Sequence, residues 1–198
     1  MELRESQINI RGEAAEVHTF YSTVHGPIIH WDHEQQIAYS KKRSWSGYEV
    51  QSLLAWVESM RANNWEEYQQ AAQDVAISIN WYYSDREGNI GYLSPGYLPH
   101  RPETQDTRLP AIGDGTMEWL GILDFQYTPK SFNPDQGYLT NWNNRPAPDK
   151  KNTDAYYWTY GDRVNELNRQ YEEKAQFTPE ELWAFNRIAS YRDVNFHY

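Results

Sequence analysis

Apolar and polar residues alternate with a period of two along residues 1–46. This alternation predicts strands at Ser6–Arg11, Glu16–Val24, Pro27–Trp31 and Gln36–Ser40, with a turn at Gly12-Glu13. Because the connections between these strands are short, we expect neighbouring strands to pair in antiparallel fashion. The first part of the chain is therefore predicted to be a four-stranded meander.

From Gly47 the apolar residues follow the spacing of a helix. The first helix is predicted by Val50, Leu53, Leu54, Val57 and Met60, and its pattern ends at Asn63-Asn64. A second helix follows, with Asn64 as its N-cap and Glu67, three residues later, completing a capping-box-like signal. Its apolar face is predicted to consist of Tyr68, Ala71, Ala72 and Val75.

The pattern then returns to strands and ends in helices. A hairpin is predicted from Ala76–Tyr83 and Ile90–Ser94, joined by the turn Ser84–Asn89. Residues 95–136 are a long connection rich in Pro and Gly, and loops of that length in a compact domain are commonly functional. Gly137–Thr140 is predicted as a further strand.

Two helices are predicted in the last part of the chain. The first runs from Asp162 to Glu173, and the second begins at Thr178 as N-cap with Pro179 at its first position. Glu181 completes a capping box in this last helix. Periodicity alone thus indicates a mixed domain of α-helices and β-strands, and no domain linker interrupts the 198 residues.

Composition and charge exclude several classes of function. The net charge of -10 argues against an extended nucleic-acid surface, which needs clustered Lys and Arg. The absence of Cys excludes disulfides, thiolate metal sites and a Cys nucleophile. The sequence as given has no apolar run of 18 residues and no signal-peptide core, so we expect no membrane span and no secretion signal in it.

Three Asn side chains surround one Trp in the stretch Thr140–Ala147, TNWNNRPA. Asn bonds readily to nearby backbone, so one interpretation is a turn whose amides satisfy its own backbone groups. The other is a set of preorganised donors for an anionic intermediate, as in an oxyanion hole. The stretch by itself favours the turn.

Three histidines in the predicted meander raise the question of a metal site. His25, His30 and His33 are separated by intervals that place side chains on mixed faces of alternating strands. Paired metal ligands usually share one face. We therefore interpret them as ordinary turn and surface histidines.

Six blocks of sequence stand out, in order along the chain: STVHGPII (22–29), AYSKKRSWSGYEVQSLLAW (38–56), INWYYSDREGNIGYLSPGYLPHR (79–101), DTRLPAIGDGTMEWLG (106–121), FNPDQGYLTNWNNRPA (132–147) and GDRV (161–164). Together they resemble the β-chain of the penicillin acylase family, amidases of the N-terminal-nucleophile hydrolase class. The resemblance implies an α+β fold, part of a four-layer αββα sandwich of antiparallel sheets with flanking helices. It also implies that residues 1–198 are a single partial domain, an internal segment of a β-chain.

The resemblance implies an amidohydrolase that cleaves linear amides, penicillin-like or other N-acyl substrates, through a Ser ester intermediate. In the family the nucleophile is a Ser at the start of the β-chain, and its own α-amino group acts as the base. Residue 1 here is Met, and Ser6, Ser22 and Ser40 lie in no matching context. We therefore expect the nucleophile upstream of this chain, which alone would be inactive.

Several positions match functional residues of the family. Asn143 matches the oxyanion-hole Asn, and Arg163 matches an Arg that orders the catalytic centre. Trp56 and Ile79 match positions that line the acyl pocket, where apolar walls recognise an acyl group. The amide substrate would be a small molecule.

The resemblance further implies a structural calcium ion and partner chains. Asp154 matches a calcium-ligating Asp, and Thr107 stands where family members often have a Pro that offers its backbone carbonyl. The expected partners are the remainder of the β-chain and an α-chain from the same precursor. By resemblance the location is periplasmic or secreted, and no organic cofactor is expected.

Two alternatives remain open. The nine Trp and the acidic balance would also suit a carbohydrate-binding module or a glycosidase fragment, because aromatic rings stack on sugars and carboxylate pairs act as acid and base. No carboxylate pair at a defined separation can be identified in the sequence, which disfavours this alternative. A truncated reading frame without independent function is the third hypothesis.

Overall fold

A computed structural model of the chain describes residues 1–148 and 162–192, and for Asp162 and Arg163 it describes the backbone only. The described residues form an α+β fold with antiparallel sheets and helices, which confirms the predicted fold class. Two compact units can be distinguished. We call residues 1–46 with 98–122 the meander unit, and residues 47–97 with 123–198 the core unit. The prediction of a single partial domain stays a prediction.

The elements are numbered in chain order. They are β1 (Glu2–Ile8), β2 (Glu16–Thr23), β3 (Gly26–Asp32), β4 (Ile37–Ser40), α1 (Glu49–Ser59), α2 (Trp65–Ala72), β5 (Trp81–Ser84), β6 (Ile90–Leu93), β7 (Pro99–His100), β8 (Gly121–Ile122), a 3₁₀ turn (Phe125–Tyr127), β9 (Lys130–Phe132), α3 (Asp162–Tyr171) and α4 (Pro179–Tyr191). No helix in the described ranges is long and apolar enough to cross a membrane.

The meander unit contains a four-stranded antiparallel sheet in the order β1-β2-β3-β4, which confirms the predicted meander. Its first strand begins at Glu2 rather than Ser6, because β1 pairs with β2 along its whole length, from Glu2 opposite Ser22 onward. The β3–β4 turn is held by Asp32, whose carboxylate accepts hydrogen bonds from the Glu34 and Gln35 N–H groups. Hydrogen bonds of this kind are local to the turn.

The core unit contains a three-stranded antiparallel sheet in the order β5-β6-β9, packed with α1 and α2 around a buried cluster. The cluster consists of Ala55, Trp65, Ala72, Val75, Trp81, Tyr83 and Leu93. The predicted hairpin is confirmed in β5 and β6, and Asp85 in its turn accepts hydrogen bonds from the N–H groups of Glu87 and Asn89. The hydrophobic core therefore lies in this unit.

Both helices predicted before this hairpin are present. Asn64 caps α2 as predicted, with its side chain accepting a hydrogen bond from the Glu67 N–H at 2.9 Å. In α1, however, the buried residues are Ser52 and Ala55. The apolar residues that predicted this helix, Val50, Leu53, Leu54, Val57 and Met60, are each more than half exposed within the described structure.

Two predicted strand segments are wrong. Residues 76–80 form no strand because their backbone pairs with a loop: the Tyr97 N–H donates to the Ala76 carbonyl at 3.0 Å, and the Ile79 N–H donates to the Pro95 carbonyl. Residues 137–140 form no strand either. A turn precedes them, in which the Gly137 N–H bonds to the Pro134 carbonyl and Gly137 has a φ of +75°.

The last described helices follow the sequence prediction closely. Thr178 and Glu181 form both halves of the capping box of α4, with Pro179 at its start. Tyr171 at the end of α3 packs edge-to-face on Phe177 and Phe185, with ring centroids 5.4 and 5.9 Å apart. Aromatic contacts therefore join α3 to α4.

Candidate active site

The Asn-rich stretch is a turn stabilised by its own amides. Asn141 Oδ1 accepts a hydrogen bond from the Asn143 backbone N–H at 3.0 Å, and Asn144 Oδ1 accepts one from the Trp142 N–H at 2.9 Å. Asn143 itself has a φ of +60°, in the left-handed region that Asn tolerates better than most residues. The interpretation of the stretch as a turn whose amides satisfy its own backbone groups is confirmed for Asn141 and Asn144.

Asn143 differs from its two neighbours in what its side chain does. The residue is exposed, and its side-chain amide has no hydrogen-bond partner among residues 1–148 and 162–192. Its backbone is nevertheless fixed by the bond to Asn141. The result is a side-chain N–H donor that starts from a fixed backbone and is not used by the turn's own hydrogen bonds, as an oxyanion-hole donor requires.

A second segment of the core unit supports this turn. Asn80, directly after Ile79, donates from its Nδ2 to Asn141 Oδ1 at 3.4 Å. Asn80 Oδ1 in turn accepts a 2.6 Å hydrogen bond from the hydroxyl of Tyr92 in β6. A chain of hydrogen bonds therefore runs from a buried strand to the Asn143 backbone.

Burial keeps the Tyr92 hydroxyl protonated, so that it can donate a hydrogen bond. Desolvation raises the pKa of Tyr92, because the phenolate would be poorly solvated beside the core. Its neighbour across the strand pair, Tyr82, has a pKa raised to about 12, first by burial and then by the charge that Tyr92 would carry. Both hydroxyls are therefore protonated at neutral pH.

The same turn is tied to α3. The Thr140 hydroxyl donates to Asn168 Oδ1 at 2.5 Å, and Tyr138 stacks on Tyr171 with ring centroids 5.0 Å apart. Arg163 lies near the start of this helix, where only its backbone is described. The structure thus brings the helix that carries Arg163 to the Asn143 turn, and the role of the Arg163 side chain stays a prediction.

The two predicted pocket residues both lie against the core. Trp56 in α1 and Ile79 are partly buried and pack against the core cluster. The Trp56 Nε1 is buried without a hydrogen-bond partner in the described part of the chain. Ile79 is joined to the Asn143 turn through its neighbour Asn80, so the structure connects a predicted pocket wall with the predicted oxyanion donor.

The predicted calcium ligands cannot be assembled from the described residues. Thr107 is a partly exposed residue of the meander unit, within a turn in which the Leu109 N–H bonds to the Asp106 carbonyl. Its own carbonyl oxygen is a hard ligand of the kind that calcium prefers. Asp154 lies outside the described residues, and within them no group of three or more His, Asp or Glu could hold a metal ion. Calcium stays a prediction.

The meander histidines have ordinary partners. His25 Nε2 bonds to the carboxylate of Glu118, which also accepts a 2.8 Å hydrogen bond from Lys42 Nζ. These two partners, Lys42 first, lower the pKa of Glu118. His30 lies beside the Tyr39 ring, and His33 stacks on Trp31.

Sequence reasoning missed Asn80 and Tyr92. The available signal was weak: Asn80 is the polar residue in the otherwise apolar run Ile79–Tyr83, INWYY. In a regular strand it would have been counted as a surface position. Its partners lie 61 and 12 residues away in sequence, so only the fold identifies it.

Comparison with known proteins identifies the family of the chain. The chain belongs to the penicillin amidase family, whose model matches residues 1–190. It is 44% identical to penicillin G acylase of Escherichia coli over 194 aligned residues. The alignment covers 97% of this chain and 23% of that protein. The family match favours the amidase hypothesis over the carbohydrate-binding one.

Two further relatives extend the comparison. The acyl-homoserine lactone acylase QuiP of Pseudomonas syringae pv. syringae is 35% identical over 99 residues, 49% of this chain and 12% of that protein. A solved thermostable penicillin G acylase from Alcaligenes faecalis is 60% identical, with a TM-score of 0.89 over 96% of this chain and 34% of the solved chain. The chain therefore spans about a quarter to a third of the penicillin G acylases it matches.

Proposed function

We propose that this chain is the part of an amide-cleaving acylase that supplies the oxyanion-hole donor, Asn143. The observation that carries the proposal is the turn around Asn143. The Asn143 backbone N–H is bonded to the Asn141 side chain, whereas the Asn143 side-chain amide has no hydrogen-bond partner among the described residues and is available to a ligand. A donor fixed before the reaction stabilises developing negative charge without a reorganisation cost. The family membership of the chain supports amide hydrolysis as the reaction.

The nucleophile in this proposal is a Ser at the N-terminus of a β-chain, outside the 198 residues. Its hydroxyl attacks the carbonyl carbon of the amide, and its α-amino group, with an ordinary pKa of about 8, takes the hydroxyl proton. The carbonyl oxygen becomes an oxyanion that accepts a hydrogen bond from Asn143 Nδ2. The amine then leaves with a proton, and water hydrolyses the ester. Arg163 orders this centre.

The acyl group of the substrate packs against Trp56 and Ile79. Both residues are apolar, partly buried and supported by the core cluster, so they form a firm wall for an aromatic or aliphatic acyl chain. The names of the relatives suggest two substrate classes, penicillin G and acyl-homoserine lactones. We propose penicillin G as the better substrate, because that relative matches nearly the whole chain.

The remaining parts of the proposal rest on the resemblance. The partner segments are the rest of the β-chain and an α-chain from the same precursor, and the location is the periplasm or outside the cell. Calcium would be held by Asp154 and by the Thr107 carbonyl, with further ligands from the partner segments. No catalytic step uses it.

A chimeric enzyme tests the proposal. Residues 1–190 of this chain replace the matching segment of the Alcaligenes faecalis acylase, which is 60% identical to this chain. We expect the chimera to hydrolyse penicillin G, and we expect Asn143→Ala to lower kcat by about 10²–10³-fold, as removal of an oxyanion donor does. Asn143→Asp should lose as much, since a carboxylate has no N–H to donate.

The matched control is Asn186→Ala, at an exposed position of α4. It should leave kcat and KM unchanged. Circular dichroism of each variant checks that the fold is retained. Removal of an oxyanion donor usually lowers kcat by at least about 10²-fold. If the kcat of Asn143→Ala stays within about threefold of the parent chimera, Asn143 has no role in the mechanism and the proposal is overturned.

A further inference from the structure

Resting on the function proposed for Asn143, we propose that Asn80 is a positioning residue, which aligns the Asn143 donor through Asn141. Asn80 lies between a residue of the predicted acyl-pocket wall, Ile79, and the first residue of β5, Trp81. Its described side-chain hydrogen bonds join it to Asn141 and Tyr92 and not to Asn143. Its action would pass through one shared acceptor, Asn141 Oδ1.

The orientation of each amide in this chain of hydrogen bonds follows from one backbone group. The Asn143 N–H can only donate, so the Asn141 atom that faces it must be the oxygen. The Asn80 atom that faces this same oxygen must then be the nitrogen. Asn80 Oδ1 consequently faces Tyr92, whose hydroxyl must donate. Neither of these two side-chain amides can rotate by 180° without losing a hydrogen bond.

The anchor of this chain is a rigid part of the molecule. Tyr92 is buried in β6, and its ring lies 5.4 Å from that of Tyr82. β6 pairs with strands on both sides, β5 and β9. The hydrogen bonds thus run from the centre of a sheet to a partly buried turn in which Asn143 is exposed. An exposed donor is where a positioning residue is most needed.

The turn requires such support because the backbone of Asn143 lies in the left-handed region. A φ of +60° costs free energy for any residue with a Cβ, even though Asn tolerates it. The bond from Asn143 N–H to Asn141 Oδ1 stabilises this conformation only while the Asn141 side chain stays in place. Asn80 restrains that side chain from the other side, and so fixes the direction in which the Asn143 side chain leaves the backbone.

Asn80→Asp in the chimera is the sharpest test. The variant keeps the size of the side chain and can still accept the Tyr92 hydrogen bond, but it places a second acceptor against Asn141 Oδ1. We expect kcat for penicillin G to fall about tenfold, as for the loss of one hydrogen bond, with KM unchanged. Tyr92→Phe keeps the buried ring and should lower kcat in the same way, but less. Asn186→Asp, on the exposed face of α4, should change neither parameter.

A double-mutant cycle separates positioning from a general structural role. If Asn80 acts only through Asn143, Asn80→Asp should have no effect on kcat in the Asn143→Ala background. At a pH low enough to protonate the introduced carboxyl, the kcat ratio of Asn80→Asp to its parent at the same pH should recover, because a protonated carboxyl can donate again.

The outcomes are distinguishable. An equal kcat loss from Asn80→Asp with and without Asn143, or no loss at all, would overturn the positioning role while leaving the function of Asn143 intact. A full rate for Asn143→Ala would overturn the proposed function, and with it this inference. A large rise in KM with constant kcat would also contradict positioning of a transition-state donor.

Discussion

The meander unit and the core unit are both built from antiparallel strands, but they differ in what holds them together. In the meander unit, whose residues 1–46 and 98–122 are all described, Pro99 is the only buried residue. Every buried apolar side chain of the cluster around Trp65 belongs to the core unit. The meander sheet thus depends on its backbone ladders and turns, and the core unit depends on packing.

The difference teaches that period-two alternation predicts strands but not burial. Leu3, Val17, Phe20 and Ile29 lie in β1 to β3 as expected, yet each is more than half exposed in the described structure. Hydrophobic stabilisation scales with the area removed from water. The candidate active site belongs to the unit with the packed core, where a donor can be held in place.

The largest expected effect on stability comes from comparing the substitution of one Trp in each unit. Trp65 is 7% exposed and stacks on Phe132 with ring centroids 5.2 Å apart. Trp31 in the meander is 40% exposed and meets Tyr21 at its edge. We expect Trp65→Ala to lower the free energy of unfolding by about 3–5 kcal/mol, and Trp31→Ala to lower it by about 0.5–1.5 kcal/mol.

Urea unfolding followed by far-UV circular dichroism measures both variants without relying on Trp fluorescence. Hydrogen exchange of backbone amides then assigns each loss to a unit, since the amides of β5 and β6 should lose protection in Trp65→Ala. Equal losses from the two substitutions would show that the meander unit has a packed core of its own, and the comparison would fail.

The second expected effect uses one glycine from each unit. A Cβ added at Gly91 in β6 would overlap the Trp65 indole, with Cε3 only 2.7 Å away. The indole cannot move aside freely, because it is packed among Tyr68, Tyr83 and Phe132. We expect Gly91→Ala to destabilise by about 1–3 kcal/mol, the usual cost of overpacking.

Gly113 in the meander unit is the matched control. A Cβ there would lie 3.7 Å from the His25 ring, an ordinary contact, so Gly113→Ala should change the free energy of unfolding by less than about 0.5 kcal/mol. Thermal and urea unfolding of the two variants provide the measurement. Comparable losses at both positions would mean that space around His25 is as restricted as space around Trp65.

Much of the fold could be predicted from sequence because its signals are local. The caps of α2 and α4 each need only residues three positions apart, Asn64 with Glu67 and Thr178 with Glu181, and both were predicted. The strand predicted at 76–80 failed for the opposite reason. Whether that segment pairs as a strand is decided by Pro95 and Tyr97, which lie far along the chain and which no local pattern contains.

The candidate site, like the fold, could be predicted only where its signals are local in sequence. The local pattern around Asn143 predicted a turn, and only the family resemblance selected Asn143 over its two neighbouring amides. The structure then showed that Asn141 and Asn144 are occupied by backbone N–H groups. Asn80 was missed because its contacts join three separate segments. A residue that acts through others leaves little trace in sequence.

The smallest expected effect concerns the acid sensitivity of one Asp in each unit. Asp85 in the core unit accepts hydrogen bonds from Asn89 Nδ2 and from the Tyr83 hydroxyl, at 2.7 and 2.9 Å. These bonds, the Asn89 side chain first, lower the pKa of Asp85. In the meander unit the side chain of Arg108 lowers the pKa of Asp106 to about 2. Each carboxylate therefore stabilises the fold above its unfolded pKa, about 3.9.

Both contributions are lost as the pH falls through the folded-state pKa, so Asp→Asn at either site should flatten the fall of unfolding free energy between about pH 5 and pH 2. Asp85→Asn should flatten it more, although Asp106 has the clearly lower folded pKa. Arg108 is only two residues from Asp106, so the same pair also forms in the unfolded chain and its pKa difference shrinks. The partner of Asp85 that lowers its pKa most, the Asn89 side chain, is four residues away across the β5–β6 turn, so that pair forms less readily in the unfolded chain.

Urea unfolding at a series of pH values, at low salt and in about 1 M NaCl, measures both variants. The Asp106→Asn effect should shrink in high salt, where the Debye length is about 3 Å and an exposed ion pair is screened, and the part that remains should come from the Arg108 backbone N–H that donates to Asp106. The Asp85→Asn effect should persist, because its partners are neutral hydrogen-bond donors. A larger and salt-resistant effect at Asp106 would show that the meander unit, too, is held by interactions that form only on folding.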